Sequence, residues 1–346
     1  MHMYDMHQEL VTFYHNHVRL KEERKRLAGL RDLNLDRLNT GLDKLGEADR
    51  HAYAHPIRHR DQGGYAMHTL NTHPEDDYDL DCAIIFRAAD LPASALDARK
   101  RIAAAFKKTG VRFAREPEAR TNAVTVWYAE GYHIDFAVYR EATNGWGETV
   151  LEHAGAQWQA ANPEKMTNWF CGRVDALSPS GYGVSVEPKQ MRRIVRWMKK
   201  FAKSRPTWNL PGGMILSTLV EERLSPHHQR DDIALYNTMA AIRSRLMNST
   251  SVRNPVFPDQ FLTSKPEYTR QVERLADKLD QALMELDVLF TASCTRKQAL
   301  SAWHWVFKHE YWKNLLVAEE NGKSSRLSIG NVANAPTVIH DTKTYG

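Results

Sequence analysis

The sequence has no long apolar run, few cysteines and no strong excess of one charge, and each shortage narrows what the chain can be. No stretch of 18 apolar residues occurs, so no membrane span is expected. The opening segment MHMYDMHQELVTFYHNHVRLK lacks the uninterrupted apolar centre of a secretory signal. The three cysteines, Cys82, Cys171 and Cys294, are scattered and odd in number. They argue against a disulfide framework and for a reducing, cytoplasmic setting. A net charge of +5 suits phosphate-bearing ligands without demanding a polyanion. No internal repeat or low-complexity tract is present.

What is present is a globular composition, 42% hydrophobic and 26% charged over 346 residues, long enough for two packed lobes. Residues 4–48 read as one helix, with Leu10, Phe13, Val18, Leu20, Leu27 and Leu30 near the 3.6 period. The segment 51–71 reads as a strand or loop, a tight turn at Gly63–Gly64, then a short helix from Tyr65. Residues 79–87 read as a buried strand and 94–109 as a helix. The β-branched and aromatic runs 121–128 and 132–140, three residues apart, read as a hairpin. From about 160 the pattern turns helical, with helices expected near 188–204, 213–224, 231–247, 266–289 and 295–313. These elements imply an α+β chain of four parts: a helical segment 1–50, a mixed core 51–160, a helical lobe 161–327 and a mobile tail 328–346.

Within this frame the stretch DDYDLDCAIIF places Asp79 and Asp81 two apart at the head of a strand, so both project to one face. Asp76 and Asp77 read as turn residues. Asp135 lies in HIDF, where Ile134 and Phe136 point the other way. If the hairpin pairs beside strand 79–87, the three carboxylates converge, and hard cations such as Mg²⁺, with Mn²⁺ as a substitute, neutralise them. The D-x-D pattern alone is short and common, and an acidic turn before a strand explains it as well. Upstream, RDQGGYAMHTLN adds a glycine turn before a helix, whose exposed N–H groups form a phosphate cradle.

This order of motifs resembles the DNA-polymerase-β-like nucleotidyltransferase superfamily. More narrowly it resembles the bacterial relatives of cyclic GMP-AMP synthase and oligoadenylate synthase, the cyclic-oligonucleotide synthases of antiphage signalling. DQGGYAMHTLN is similar to the family's phosphate loop, which gives Gln62, Gly63, Gly64 and Tyr65; YDLDCAIIF gives Asp79 and Asp81; HIDFAVY gives Asp135. RRIVRWMKKFAK resembles the helix whose lysine contacts the donor triphosphate, with Lys199 in the best register and Lys203 as the alternative. LPGGMILSTLVEE, with Gly213 and Ser217, resembles the helix start that follows, and VRNPVFPDQFLT, with Asp259, the segment closing the pocket.

The resemblance implies a bilobed fold with a nucleotidyltransferase lobe and a helical lobe around a cleft. It implies two Mg²⁺ ions held by Asp79, Asp81 and Asp135. ATP or GTP would be joined into a cyclic di- or trinucleotide with release of pyrophosphate. Gly64 departs from the serine of the family loop, and Gly213 stands near another position where relatives often carry serine. The scattered cysteines exclude the zinc thumb of the animal enzyme, so no nucleic-acid activator is expected. Gly346 nominates attachment by E1/E2-like conjugation partners, as in some relatives. Two other readings share these residues: modification of tRNA or a protein target, and a catalytically weak nucleotide-binding module.

Other clusters have plainer explanations. His51, His55 and His59 have helical metal-ligand spacing, but Pro56 interrupts the helix. His227, His228, Asp231 and Asp232 fit a polar loop before a capped helix. Trp197 reads as core.

Overall fold

A computed structural model of the chain describes residues 3–20, 23–71, 79–129, 131–143 and 145–322. The tail, Gly346, Asp76 and Asp77 lie outside the described residues, as does the side chain of Asp79. The fold is α+β, as the pattern of elements implies. Among the described residues no helix is long and apolar enough to cross a membrane.

The first helical stretch is not continuous. Helix α1 (His7–Phe13) runs into a wider turn at Tyr14–Val18, Arg19 bridges to Asn71, and α2 (Glu23–Asp49) starts afresh. The break follows from packing. Leu10, Phe13 and Val18 are buried in the helical half, whereas Leu27, Leu38 and Leu42 are buried against the sheet. One straight helix would not serve both cores.

The sheet centres on β2 (Asp79–Arg87), preceded by β1 (Arg58–Asp61) and the single-turn helix α3 (Gly63–Ala66). After β2 come α4 (Ala95–Lys108), β3 (Arg115–Ala119), β4 (Val124–Trp127), β5 (His133–Thr143), β6 (Thr149–Ala154) and β7 (Trp158–Ala160). Strands β1, β2, β5, β4 and β3 lie side by side in that order; β6 pairs the far half of β5, and β7 pairs β6. The expected hairpin is β4–β5, antiparallel, and β5 lies parallel to β2. A parallel pair needs a long crossover, and α4 with β3 and β4 supplies it. Ser94 caps α4 by accepting from the Asp97 amide at 3.2 Å. Ala98, Ile102 and Phe106 then bury one stripe against Leu80, Cys82, Ile84 and Phe86 of β2. The opposite parity of β2 and β5 carries a small second cluster of Ala83, Ile85, Ala137 and Tyr139. Asp81 and Asp135 share that parity.

The helical lobe comprises α5 (Pro163–Leu177), α6 (Gln190–Ala202), α7 (Gly213–Arg223), α8 (Asp231–Asn248), α9 (Pro266–Leu286), α10 (Arg296–Phe307) and α11 (Glu310–Glu320). The expected helix 295–313 is two helices, because Lys308 turns the chain with φ 46°. Trp197 is fully buried, as expected for core.

Asp231 and Asp232 are not exposed caps. Both are fully buried. Asp231 pairs with Arg193 at 2.9 Å, and Asp232 pairs with Arg230 at 2.6 Å while accepting from the Met6 amide at 2.9 Å. This network clamps the first residues of the chain to α8. His51 follows α2, His55 pairs with Asp43 at 2.8 Å, and His59 sits in β1, so the three share no helical face.

Candidate active site

The parallel ladder fixes the acidic side of the site. Asp81 stands directly opposite Asp135, and Asp79 opposite His133. The Asp135 side chain is one-fifth exposed; one of its oxygens accepts from the Thr125 hydroxyl, and the other lies 3.8 Å from Nε2 of His133. Thr125 is paired with Asp135 across β4–β5, so the ladder also places the donor. Among the described residues no three His, Cys, Asp or Glu side chains form a metal-binding group. Asp79, the third expected carboxylate, contributes only its backbone position.

The glycine turn is pressed onto Asp81. The Gln62 amide donates to the Asp81 carbonyl at 3.0 Å. Gly63 has φ +59°, and a Cβ there would stand 1.9 Å from Oδ2 of Asp81. Only glycine meets both demands. The turn closes with Met67 N donating to Gly63 O at 3.1 Å and Thr69 N to Gly64 O at 2.7 Å. Behind it, the Tyr139 hydroxyl donates to Oε1 of Gln62 at 3.1 Å. Burial, and then the nearby Asp81 charge, raise the Tyr139 pKa, so the phenol stays a donor.

Tyr65 does not face the cleft as the loop resemblance suggests. Its ring is buried in the sheet-lobe core beneath the Arg24 guanidinium, 4.0 Å away, and Arg24 Nη1 donates to its carbonyl at 2.6 Å. It anchors the loop to α2.

Helix α6 faces the turn across the cleft. Lys199 Nζ donates to the Thr69 carbonyl at 2.8 Å. A Cβ at Gly64 would lie 3.3 Å from that Nζ, and one at Gly213 would lie 3.1 Å from Lys199 Cε. The lysine therefore passes between two glycines, Gly64 at the position where the family resemblance leads one to expect serine and Gly213 near another such position. Asn71 adds a second tie: its Nδ2 donates to the Arg196 carbonyl at 2.8 Å, while its buried Oδ1 has no partner among the described residues.

The cleft between the lobes has a volume of about 1070 Å³. Gln62, Gly63, Gly64 and Asp81 line one wall, and Lys199, Lys203, Gly213 and Ser217 the other. The Ser217 hydroxyl is committed to its own helix, donating to the Gly213 carbonyl at 2.8 Å. Asp259 is exposed, whereas Asn254, Phe257 and Gln260 of the same segment line the cleft. The residues that sequence reasoning missed are Thr69, Asn71, Thr125 and Tyr139. Tyr139 was within reach, since it lies four positions beyond Asp135 and shares its strand face.

Residues 57–139 match the family model described as cyclic GMP-AMP synthase DncV-like, nucleotidyltransferase domain. Three solved structures have the same fold. The Bradyrhizobium diazoefficiens CD-NTase CdnG in complex with GTP is 17% identical with a TM-score of 0.66, over 91% of this chain and 99% of that one. Vibrio cholerae DncV cyclic AMP-GMP synthase, with the linear intermediate pppA(3′,5′)pG, is 16% identical with a TM-score of 0.68, over 90% and 99%. The E. coli CdnC structure with ATP is 16% identical with a TM-score of 0.62, over 88% and 98%. The segment that carries Asp79, Asp81 and Asp135 thus matches the DncV-like nucleotidyltransferase domain, and the chain has the fold of solved CD-NTases.

Proposed function

We propose that the chain joins nucleoside triphosphates, ATP and GTP foremost, into a cyclic di- or trinucleotide second messenger of antiphage defence, releasing pyrophosphate. One observation carries the reading. Asp81 stands opposite Asp135 on parallel strands, and Asp81 lines one cleft together with the glycine turn and Lys199.

The donor set fits divalent cations. Asp81 and Asp135 offer only hard oxygen ligands, and two carboxylates in one register are mutually repulsive until a cation neutralises them. Mg²⁺, or Mn²⁺ in its place, would be held by these two with Asp79 as third ligand. Such ions offset triphosphate charge and favour ionisation of an attacking ribose hydroxyl.

The chain's own residues do the positioning on which this chemistry depends. Thr125 holds the Asp135 carboxylate in one orientation by donating to it. With the Gln62 amide already bonded to the Asp81 carbonyl, the turn offers the amides of Gly63 and Gly64 to phosphate, and Gly63 lets that backbone lie against Asp81. Lys199, now on the Thr69 carbonyl, can exchange that acceptor for a phosphate oxygen at little cost, because both accept one ammonium hydrogen.

The test is chromatography and mass spectrometry of products formed from all four NTPs with Mg²⁺ or Mn²⁺. A small cyclic product supports the reading. Label appearing in added RNA or protein instead assigns the same residues to target modification. No pyrophosphate release leaves nucleotide binding alone. Joint Asp79→Ala and Asp81→Ala substitution is expected to abolish product, and retained activity would remove the two-metal assignment.

A further inference from the structure

The glycine turn is held from behind as well as from the cleft. Helix α2 sends two arginines to it, one to each end. Arg31 Nη1 donates to both carboxylate oxygens of Asp61, at 2.6 and 2.7 Å, and Asp61 ends β1 directly before Gln62. Arg24 Nη1 donates to the carbonyl of Tyr65, the residue directly after Gly64, and its guanidinium lies over the Tyr65 ring. The Tyr65 hydroxyl in turn donates to the Arg24 carbonyl at 3.2 Å. Seven residues are nearly two full helical turns, so both arginines leave the same face of α2, about 10 Å apart along its axis.

Both grips rest on a fixed support. Arg31 is only 13% exposed, so water competes little for its bond to Asp61. Its Nε donates to Asp32 at 2.9 Å, which sets the plane of the fork. Leu27, between the two arginines in sequence, is buried in the sheet-lobe core. At Gly41 the backbone of α2 lies against α4, where a Cβ would stand 2.0 Å from the Ala105 carbonyl oxygen. The helix is thereby fixed in register on the sheet lobe. Neither arginine lines the cleft, so a ligand entering it meets the turn without displacing either grip.

The geometry points to Arg24 and Arg31 as positioning residues for nucleotide binding. Helix α2 acts as a splint that keeps the Gly63 and Gly64 amides aimed at phosphate before a ligand arrives, which spares the ligand the cost of ordering them. The inference rests on the nucleotidyltransferase reading above.

The experiment titrates the full chain, with Mg²⁺, against an ATP analogue that cannot be cleaved between its α- and β-phosphates, and separately against adenosine, which has no phosphate. Arg24→Gln and Arg31→Gln should each weaken the analogue about tenfold and leave adenosine unchanged, because only phosphate meets the turn. Asp61→Asn separates grip from charge. It removes a negative charge beside the phosphate turn, so charge alone would tighten the analogue, whereas loss of the grip weakens it. Arg37→Gln is the control. It takes a bond from the same helix at Tyr128, where Nη1 donates to the hydroxyl at 3.2 Å, and should leave both affinities unchanged. If a glutamine variant does not fold, Arg24→Lys or Arg31→Lys, which keeps the charge without the fork, should show about a threefold loss in the same comparison. Unchanged analogue affinity in the arginine variants, an equal loss for adenosine or in Arg37→Gln, or tighter binding in Asp61→Asn overturns the splint. Absence of product from a wild-type chain that binds the analogue would overturn the synthase reading instead, and the titrations would still decide the splint. A wild-type chain that does not bind the analogue overturns both.

Discussion

The two lobes place their functional groups by different means. The sheet lobe sets Asp81 and Asp135 through backbone register, with nine consecutive pairs between β2 and β5 leaving no slack. The helical lobe sets Lys199 through a long side chain that donates to the Thr69 carbonyl and is confined between two glycines. A carboxylate on a ladder cannot follow its ligand, whereas an ammonium on a flexible stem can exchange partners. The acidic side of the site is therefore expected to tolerate almost nothing, and the basic side to degrade by steps.

The largest effect that would sharpen this contrast is Asp81→Asn, which keeps shape and removes charge. Product formation should fall by about 10³-fold or more, measured as pyrophosphate release, with the melting temperature unchanged. Lys199→Met should cost about 10²-fold in kcat/KM; a loss as large as that of Asp81→Asn would break the contrast. Gly63→Ala forces a left-handed φ on a side chain that meets the Asp81 carboxylate, and urea melts should report about 2–3 kcal/mol of destabilisation.

Gly64→Ala should behave differently, although it is the next residue. Its Cβ meets only side-chain ends, Leu70 Cδ2 at 3.1 Å and Lys199 Nζ at 3.3 Å, which can give by a few tenths of an ångström, so stability should nearly hold while KM for NTP rises roughly threefold to tenfold. An unfolding effect there would mean that the basic side is as rigid as the acidic one.

The smallest effect concerns acid. His309 has a folded pKa of about 4 against an ordinary 6.5, so the unfolded chain takes up the proton first. Its contribution to stability is complete above pH 6.5 and is lost as pH falls toward 4. Comparison with His309→Asn, which retains a capping acceptor for α11, should show a difference shrinking by about 1–2 kcal/mol over that window, after solvent screening at this half-buried position.

Much of this architecture was legible in the sequence because its signals are local. Strand parity put Asp79 and Asp81 on one face, the β4–β5 hairpin was readable from two apolar runs, and the pairing of β5 beside β2 then brings Asp135 opposite Asp81. What stayed hidden depends on neighbours. Strand β3, REPEA, carries no strand signal, since Pro117 cannot donate to a ladder; it survives as the last strand in the order, with a register shift between Arg115 and Glu118. The break between α1 and α2 carries no proline or glycine, and only the two separate cores explain it. Tyr65 fits the phosphate-loop pattern yet serves the core, because a motif gives identity at a position and not the direction of a ring. Lys200 and Lys308 line one cleft although they are more than a hundred positions apart, which no spacing rule could connect.

The parallel pairing of β2 with β5 also bears on how the molecule comes into being. Asp81 and Asp135 are more than fifty positions apart, and their strands can meet only once α4 and the β3–β4 pair have closed the crossover. Such long-range closure is slow compared with a hairpin or a helix. During synthesis, a chain that has emerged only through β2 would have no acidic site, and one that has emerged through β5 would still lack Lys199. On the proposed function, a nascent or truncated chain would make no signal, and the order of the fold would itself delay activity until both lobes exist.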